Sequence, residues 1–285
     1  MTRIETALAA AIAHAEDGAP PKLASALRYA VFPGGARVRP RLCLAVAEAC
    51  AEDLPSLTDG AAAAIELLHC ASLVHDDLPC FDDADTRRGR LTVHRVYGEP
   101  LAVLAGDGLI VLAFETLARA AVVAPDRLVA LTVMLARAVG SPNGLVAGQA
   151  WESEPSVPVD QYHQAKTGSL FTAATMCGAL AAGKDPAEWQ AMGRWLGEAY
   201  QVADDLLDAL GPAEEAGKPT GRDAVLVRPN AVATLGIDFA VAKLRSLVDQ
   251  AAESVPECRG RSSLQALVVQ MAERLVPASL KQTAA

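Results

Sequence analysis

The sequence predicts an all-α fold, one helical bundle spanning residues 1–285, and three observations predict it. Apolar residues fill 52% of the 285 positions while aromatics fill only 4%, so alanine and leucine, which favour helix over strand, supply the core. The apolar spacing is helical nearly everywhere, without the alternation of a half-buried strand. No repeat of fixed period, low-complexity linker or shift in composition divides the chain.

Taken in order, the N-terminal stretch Met1–Gly18 is amphipathic and carries acidic residues early, unlike a signal peptide. The run Ala61–Val74 is too long and too continuous for a strand. Further helical runs follow at Leu101–Val123, Arg127–Val139, Thr167–Ala182, Glu188–Leu210 and Phe239–Ser254. Punctuation falls at Pro33-Gly34-Gly35, Gly140–Gly144 and Pro155–Pro158. Two segments break the pattern: Pro79–Gly89, rich in Asp and then Arg, and Gly211–Asn230, which holds Lys218, Arg222, Asp223 and Arg228. Long irregular segments in a compact chain are often functional.

A net charge of −9 argues against a nucleic-acid surface, which needs a basic face, but leaves open an anionic small ligand in a locally basic pocket. The six cysteines (Cys43, Cys50, Cys70, Cys80, Cys177 and Cys258) form no CxxC pair, so neither a zinc nor a dithiol site is indicated. Those in apolar runs read as small buried hydrophobes. The longest uncharged stretch, Thr167–Gly183, is short for a membrane span and diluted by polar residues. The expectation is a cytoplasmic protein with no membrane span.

Two clusters carry chemistry. The first, His75–Gly89, places Asp76, Asp77, Asp82, Asp83 and Asp85 within ten positions, directly after an apolar helix. Two readings are open. One is a solvated acidic loop. The other is a metal–phosphate site, because carboxylates next to a buried run are costly to desolvate and a hard divalent cation offsets that cost. Arg87 and Arg88 suit phosphate oxygens, which guanidinium groups grip in a fork. In the second cluster, Asp204 and Asp208 stand four apart and share a helix face with Gln201. Like charges at that spacing repel, so the face is either solvated or supplied with a counter-charge; Val202, Ala203, Leu206 and Leu207 around it point to the latter. Facing each other across a bundle, the two clusters could form a multi-metal clamp.

These residues resemble those of the trans-isoprenyl diphosphate synthases, in the bacterial farnesyl/geranylgeranyl group. Asp76, Asp77 and Asp82 resemble the first aspartate-rich motif in its longer form, and Asp204, Asp205 and Asp208 resemble the second. Leu104–Asp107, Gly148-Gln149 and Lys166–Phe171 match in order, from Pro33 to about Gly236. The resemblance implies the isoprenoid-synthase helical bundle around a central cavity, and usually a homodimer. It implies Mg2+ as cofactor, three ions with bound diphosphate, ligated by Asp76, Asp82, Asp204 and Asp208, with Asp77 also in the catalytic group. Arg87, Lys166, Thr167, Gln201 and Lys218 would hold the allylic diphosphate; Arg39, His69 and Arg88 would hold isopentenyl diphosphate. Taken singly, His69 reads as a core histidine, Lys166 and Thr167 as a helix start, and Gln201 as a surface amide.

The chain departs from the family pattern at Gly34-Gly35-Ala36-Arg37-Val38-Arg39-Pro40, where Ala36 replaces a lysine and Arg37, Arg39 and Arg41 are the nearby cations. A late family lysine is replaced by Arg228, which keeps the charge. The position five before the first aspartate, a floor of the elongation pocket in this family, is Ala71, followed by Ser72, with Leu68 one turn deeper. A small floor implies a C20 product of the carotenoid-precursor kind. The competing readings are a C15 or longer product, a terpene cyclase, whose second metal motif would be of another type, and a non-catalytic partner subunit, which Ala36 favours.

Overall fold

The computed structural model describes residues 2–32, 34–210 and 236–273. These residues build helices α1 (Arg3–Glu16), α2 (Pro21–Val31), α3 (Val38–Ala49) and α4 (Pro55–Asp76). A short hairpin follows, β1 (Thr86–Arg87) with β2 (Arg90–Leu91), then α5 (Val93–Tyr97), α6 (Glu99–Ala120), α7 (Pro125–Val139), α8 (Leu145–Ala150) and α9 (Val159–His163). Helices α10 (Ser169–Ala181), α11 (Gln190–Leu210), α12 (Ile237–Glu253) and α13 (Arg261–Glu273) complete the bundle. Every helical run expected from the sequence is present. Prolines open α2, α4, α6 and α7, where the missing N–H costs nothing and φ is already set.

Helix α4 is the axis. It lies against α6, α3, α10 and α1, and sixteen of its 22 residues are buried. A helix apolar on all sides belongs inside, and its Ala61–Ala64 run lets neighbours approach closely. Helix α10 packs against α3, α7, α4 and α11, so the ends of α4 and α10 and one face of α11 come to a common region.

Two helical stretches, Pro55–Asp76 and Glu99–Val123, are long and apolar enough to cross a membrane by length and composition. The most apolar 18-residue window of the first is 83% buried inside the bundle; that of the second is 39% buried, and α6 keeps an outward stripe with Val103, Leu104 and Val111 exposed.

The irregular segment after α4 contains structure that apolar spacing could not signal. Arg88 and Gly89, both at positive φ, form the two-residue turn that joins β1 to β2. Two positive φ values match the right-handed twist of a hairpin. Gly211–Asn230, with Lys218 and Arg228, lies outside the described residues.

Candidate active site

Helix α4 ends on the first carboxylates. Its last residue, Asp76, is buried, and Asp77 caps it with its N–H on the Leu73 carbonyl at 3.1 Å. The loop then folds back: the Asp82 N–H reaches the Asp76 carbonyl at 2.9 Å and the Ala84 N–H reaches that of Asp77 at 3.2 Å. This return sets Asp82 beside Asp76. Burial pushes the Asp76 carboxyl above its ordinary range; Lys166 and a 2.7 Å hydrogen bond from Gln149 Nε2 pull it down, and Asp82 and Glu152 push it up again. Asp77 is also raised by burial, against the pull of Arg87, whose Nε and Nη2 both donate to its Oδ1 at 2.9 and 2.6 Å.

The cations gather on the other side. Arg39, in the first turn of α3, is buried with its guanidinium 4.7 Å from the Phe171 ring centre and 5.5 Å from that of Tyr200. Its Nη1 lies 3.3 Å from His69 Nε2, while its buried Nε has no hydrogen-bond partner among the described residues. Burial lowers the Arg39 guanidinium below its usual range, and Arg88 lowers it further, against Tyr200, Glu66 and Asp204. Burial, then Arg39, Arg88 and Arg87, hold the His69 imidazole well below its ordinary range, so it is neutral and can accept at Nε2. Four guanidinium groups, Arg37 included, act on this one imidazole and mark a cationic hollow. Arg88 itself lies over the backbone of Gly35, where an added Cβ would stand 2.7 Å from its Cζ. That sets Arg88 against the backbone of Gly35, the residue before Ala36. Arg37 cannot stand in for the missing lysine, because its three guanidinium nitrogens are spent on Glu5, Glu66 and the Val31 carbonyl. Arg41 is exposed on α3.

Between α9 and α10 the chain makes a π-helical turn, Gln164–Gly168, that carries Lys166 and Thr167. Such wide turns concentrate at functional sites. Two glycines leave room for it: a Cβ on Gly148 would sit 2.4 Å from the Lys166 backbone nitrogen, and one on Gly197 would sit 2.6 Å from Gly168 Cα. Lys166 Nζ donates to Glu152 Oε1 at 2.5 Å. Thr167 Oγ1 donates to Gln201 Oε1 at 2.8 Å, and Gln201 Nε2 donates to Asp205 Oδ1 at 2.9 Å. The sequence placed Gln201 on the face of Asp204. On that side of α11 the structure joins Gln201 to the buried Asp205, one full turn further along, because it faces Thr167. Asp204 and Asp208 are partly buried on α11, and the charge of Asp204 reaches Arg39.

One turn back along α4 stand Leu68, Ala71 and Ser72, all buried, with Gln149 Nε2 3.4 Å from the Ser72 carbonyl. Among the described residues no three Asp, Glu, His or Cys side chains gather closely enough to hold a metal by themselves. The donor chemistry nevertheless fits magnesium. The ion takes one or two carboxylates and completes its shell with phosphate oxygens and water, and the buried, raised carboxyl of Asp76 gains from a nearby cation.

The profile of the polyprenyl synthetase family matches residues 20–267. The chain belongs to that family. Two relatives cover nearly the whole length of this chain. The geranylgeranyl diphosphate synthase of Cereibacter sphaeroides is 55% identical over 98% of this chain and 97% of its own. That of Rhodobacter capsulatus is 51% identical over 98% of each. Among solved structures, the Helicobacter pylori geranyltransferase, complexed with magnesium and isoprenyl diphosphate, superposes with TM-score 0.80 at 29% identity, over 96% of this chain and 98% of its own. The Pyrococcus horikoshii geranylgeranyl pyrophosphate synthetase gives 0.77 at 29% identity, over 94% and 95%.

Within this chain the structure joins Asp76, Asp82, Lys166 and the Asp77–Arg87 pair on one side, and Arg39, His69 and Arg88 on the other. Sequence reasoning left Glu152, Tyr162, Phe171, Tyr200 and Asp205 without roles. The sequence names Asp205 as the middle member of its motif, but its hydrogen bond from Gln201 has no signal in the spacing. Glu152 and Tyr162 carry no spacing signal, since a π-helical turn and a short 3-10 turn bring them to Lys166.

Proposed function

We propose that this chain is a magnesium-dependent trans-prenyltransferase that condenses isopentenyl diphosphate with allylic diphosphates up to farnesyl diphosphate, giving geranylgeranyl diphosphate. The observation that carries the reading is Arg39, a buried guanidinium whose Nε has no partner among the described residues, set against the paired rings of Phe171 and Tyr200 and within electrostatic reach of Asp204. A buried, incompletely bonded cation is costly unless an anion completes it. Arg39, His69 and Arg88 hold the diphosphate of isopentenyl diphosphate. Lys166, Thr167, Gln201 and Arg87 face the allylic diphosphate, with Lys218 and Arg228 assigned to the site by resemblance alone. Magnesium held by Asp76, Asp82, Asp204 and Asp208 would neutralise charge on the leaving diphosphate. The allylic C–O bond breaks, the double bond of isopentenyl diphosphate forms the new C–C bond, and the departing diphosphate accepts the proton. Packed helices keep water from the allylic cation.

The C20 product is supported by the names of the two closely similar bacterial relatives and by the small side chain of Ala71, buried beside Leu68 and Ser72. The test is incubation of the protein with magnesium, isopentenyl diphosphate and each C5, C10 and C15 primer, with product length read by chromatography. C20 is expected, abolished by chelator. Ala71→Tyr should stop the chain at C15; a variant that still made only C20 would remove Ala71 as the floor. No product from any primer would favour the partner-subunit reading, which rests on Ala36.

The chain acts as one domain over residues 1–285, in the cytoplasm, as a homodimer. The dimer reading rests on the family resemblance and is supported by the exposed apolar side chains of α6 (Val103, Leu104, Val111) and α7 (Val129, Val133), which a second copy could cover. Sedimentation should give twice the chain mass, and Val111→Glu with Val129→Glu should give monomer. A monomeric wild-type protein would refute the reading.

A further inference from the structure

Glu152 stands in the 3-10 turn after α8 and belongs to neither aspartate cluster, yet two proton donors converge on one of its oxygens. Lys166 Nζ is 2.5 Å from Glu152 Oε1, and the Tyr162 hydroxyl donates to the same oxygen at 2.6 Å. Both partners of the ion pair are largely buried, with side chains 22% and 19% exposed. The buried Tyr162 ring also lies 5.9 Å from the Lys166 ammonium. Lysine is a flexible point charge with three donors and no fixed fork, so left alone it samples many positions. Here one donor is spent on a carboxylate that is itself held by a phenol. The other two remain for an anion on the Asp76 side, where the ammonium already pulls the Asp76 carboxyl down.

We propose that Glu152, fixed by Tyr162, is a positioning residue that aims the Lys166 ammonium at the allylic diphosphate. The inference rests on the function proposed above and assigns that reaction a residue outside the two aspartate motifs. As a carboxylate, Glu152 has no donor to offer a diphosphate. It places a negative charge near an anion site, which by itself would weaken anion binding, so its presence is explained by what it does to Lys166. The π-helical turn fits this role: it places Lys166 in a single wide turn of the kind that concentrates at functional sites, and Glu152 fixes where the ammonium goes. Misplacing a charged group by about 1 Å is enough to cost up to about a hundredfold in rate.

The test compares steady-state constants for Glu152→Gln, Glu152→Asp, Tyr162→Phe and Lys166→Ala, together with binding of inorganic pyrophosphate by calorimetry in the absence of primer. Glu152→Gln is expected to lower kcat/KM for the allylic substrate about tenfold, leaving the KM for isopentenyl diphosphate unchanged, with Tyr162→Phe intermediate and Glu152→Asp recovering part of the loss. Pyrophosphate binding should weaken in the same order. In a Lys166→Ala background Glu152→Gln should change nothing further, because its effect runs through the lysine. An equal loss for both substrates, or a full additional loss in the Lys166→Ala background, would show a structural role and overturn the inference. Unchanged constants in Glu152→Gln would overturn it as well. Wild-type protein that makes no prenyl product would instead remove the proposed function on which the inference stands.

Discussion

Replacing Asp76 with Asn should cut prenyl transfer about a hundredfold or more and raise the melting temperature at once. Asp76 is a buried carboxyl whose proton affinity is raised by burial, with Asp82 and Glu152 adding to the rise, so its charged form is held against the folded state. Because the folded group binds protons more tightly than the unfolded one, wild-type stability falls as pH rises from the ordinary carboxylate range through the raised folded value. Asparagine removes the charge, is nearly the same size, and can still accept from Gln149, so most of the packing survives. Activity should fall by about a hundred- to a thousandfold, the scale set by losing one preorganised electrostatic partner of the transition state. Thermal melts of both proteins across pH check the first half: the advantage of the variant should be present at neutral pH and shrink in acid. A variant that melts lower at neutral pH, or keeps more than a tenth of the activity, would refute the account of Asp76.

Arg37→Ala should be the most destabilising single change among the charged residues described. Arg37 and Glu66 are 4% and 2% exposed at the side chain and 2.7 Å apart, with Glu5 at 2.8 Å on the other side. Burial alone would weaken the charged guanidinium; the two carboxylates more than offset it and the net direction is up. Arg37 also holds the left-handed conformation, φ 50°, at the start of α3, a strain of about 1 kcal/mol or more that the ion pair sustains. Removing the cation leaves Glu66 charged and buried, at a cost of about 3–5 kcal/mol. Urea unfolding measures it. The paired change Arg37→Met with Glu66→Leu should recover much of the loss, since no charge is then orphaned. A single-variant loss under about 1 kcal/mol would mean that water reaches Glu66.

Helical periodicity made the bundle legible because each long helix buries a regular face, and α4, with its unbroken alanine run, was the plainest of them. Asp76, Asp82, Lys166 and Arg39 were legible through motifs that bring charged residues directly against apolar ones. What stayed hidden depends on contacts between distant turns. The commitment of Arg37 to Glu5 and Glu66 could not be told from substrate binding by sequence, since both roles ask for an arginine beside glycines. The turn of Gln201 toward Asp205 depended on which face of α11 met Thr167. The hairpin that aims Arg88 had only a single glycine to announce it.

The π-helical turn at Gln164–Gly168 has a consequence for how this chain can change over time. It holds about one residue more than an α-helical turn, so the helix leaves it rotated by about 100° relative to its entry. Helix α9 and helix α10 therefore answer to different neighbours although they form one rod: Tyr162 to Glu152, and Phe171 to Arg39. Substitutions on either half are free to accumulate without disturbing the other. Loss of one residue inside the turn is different in kind, because restoring the common phase forces one half to abandon its partner.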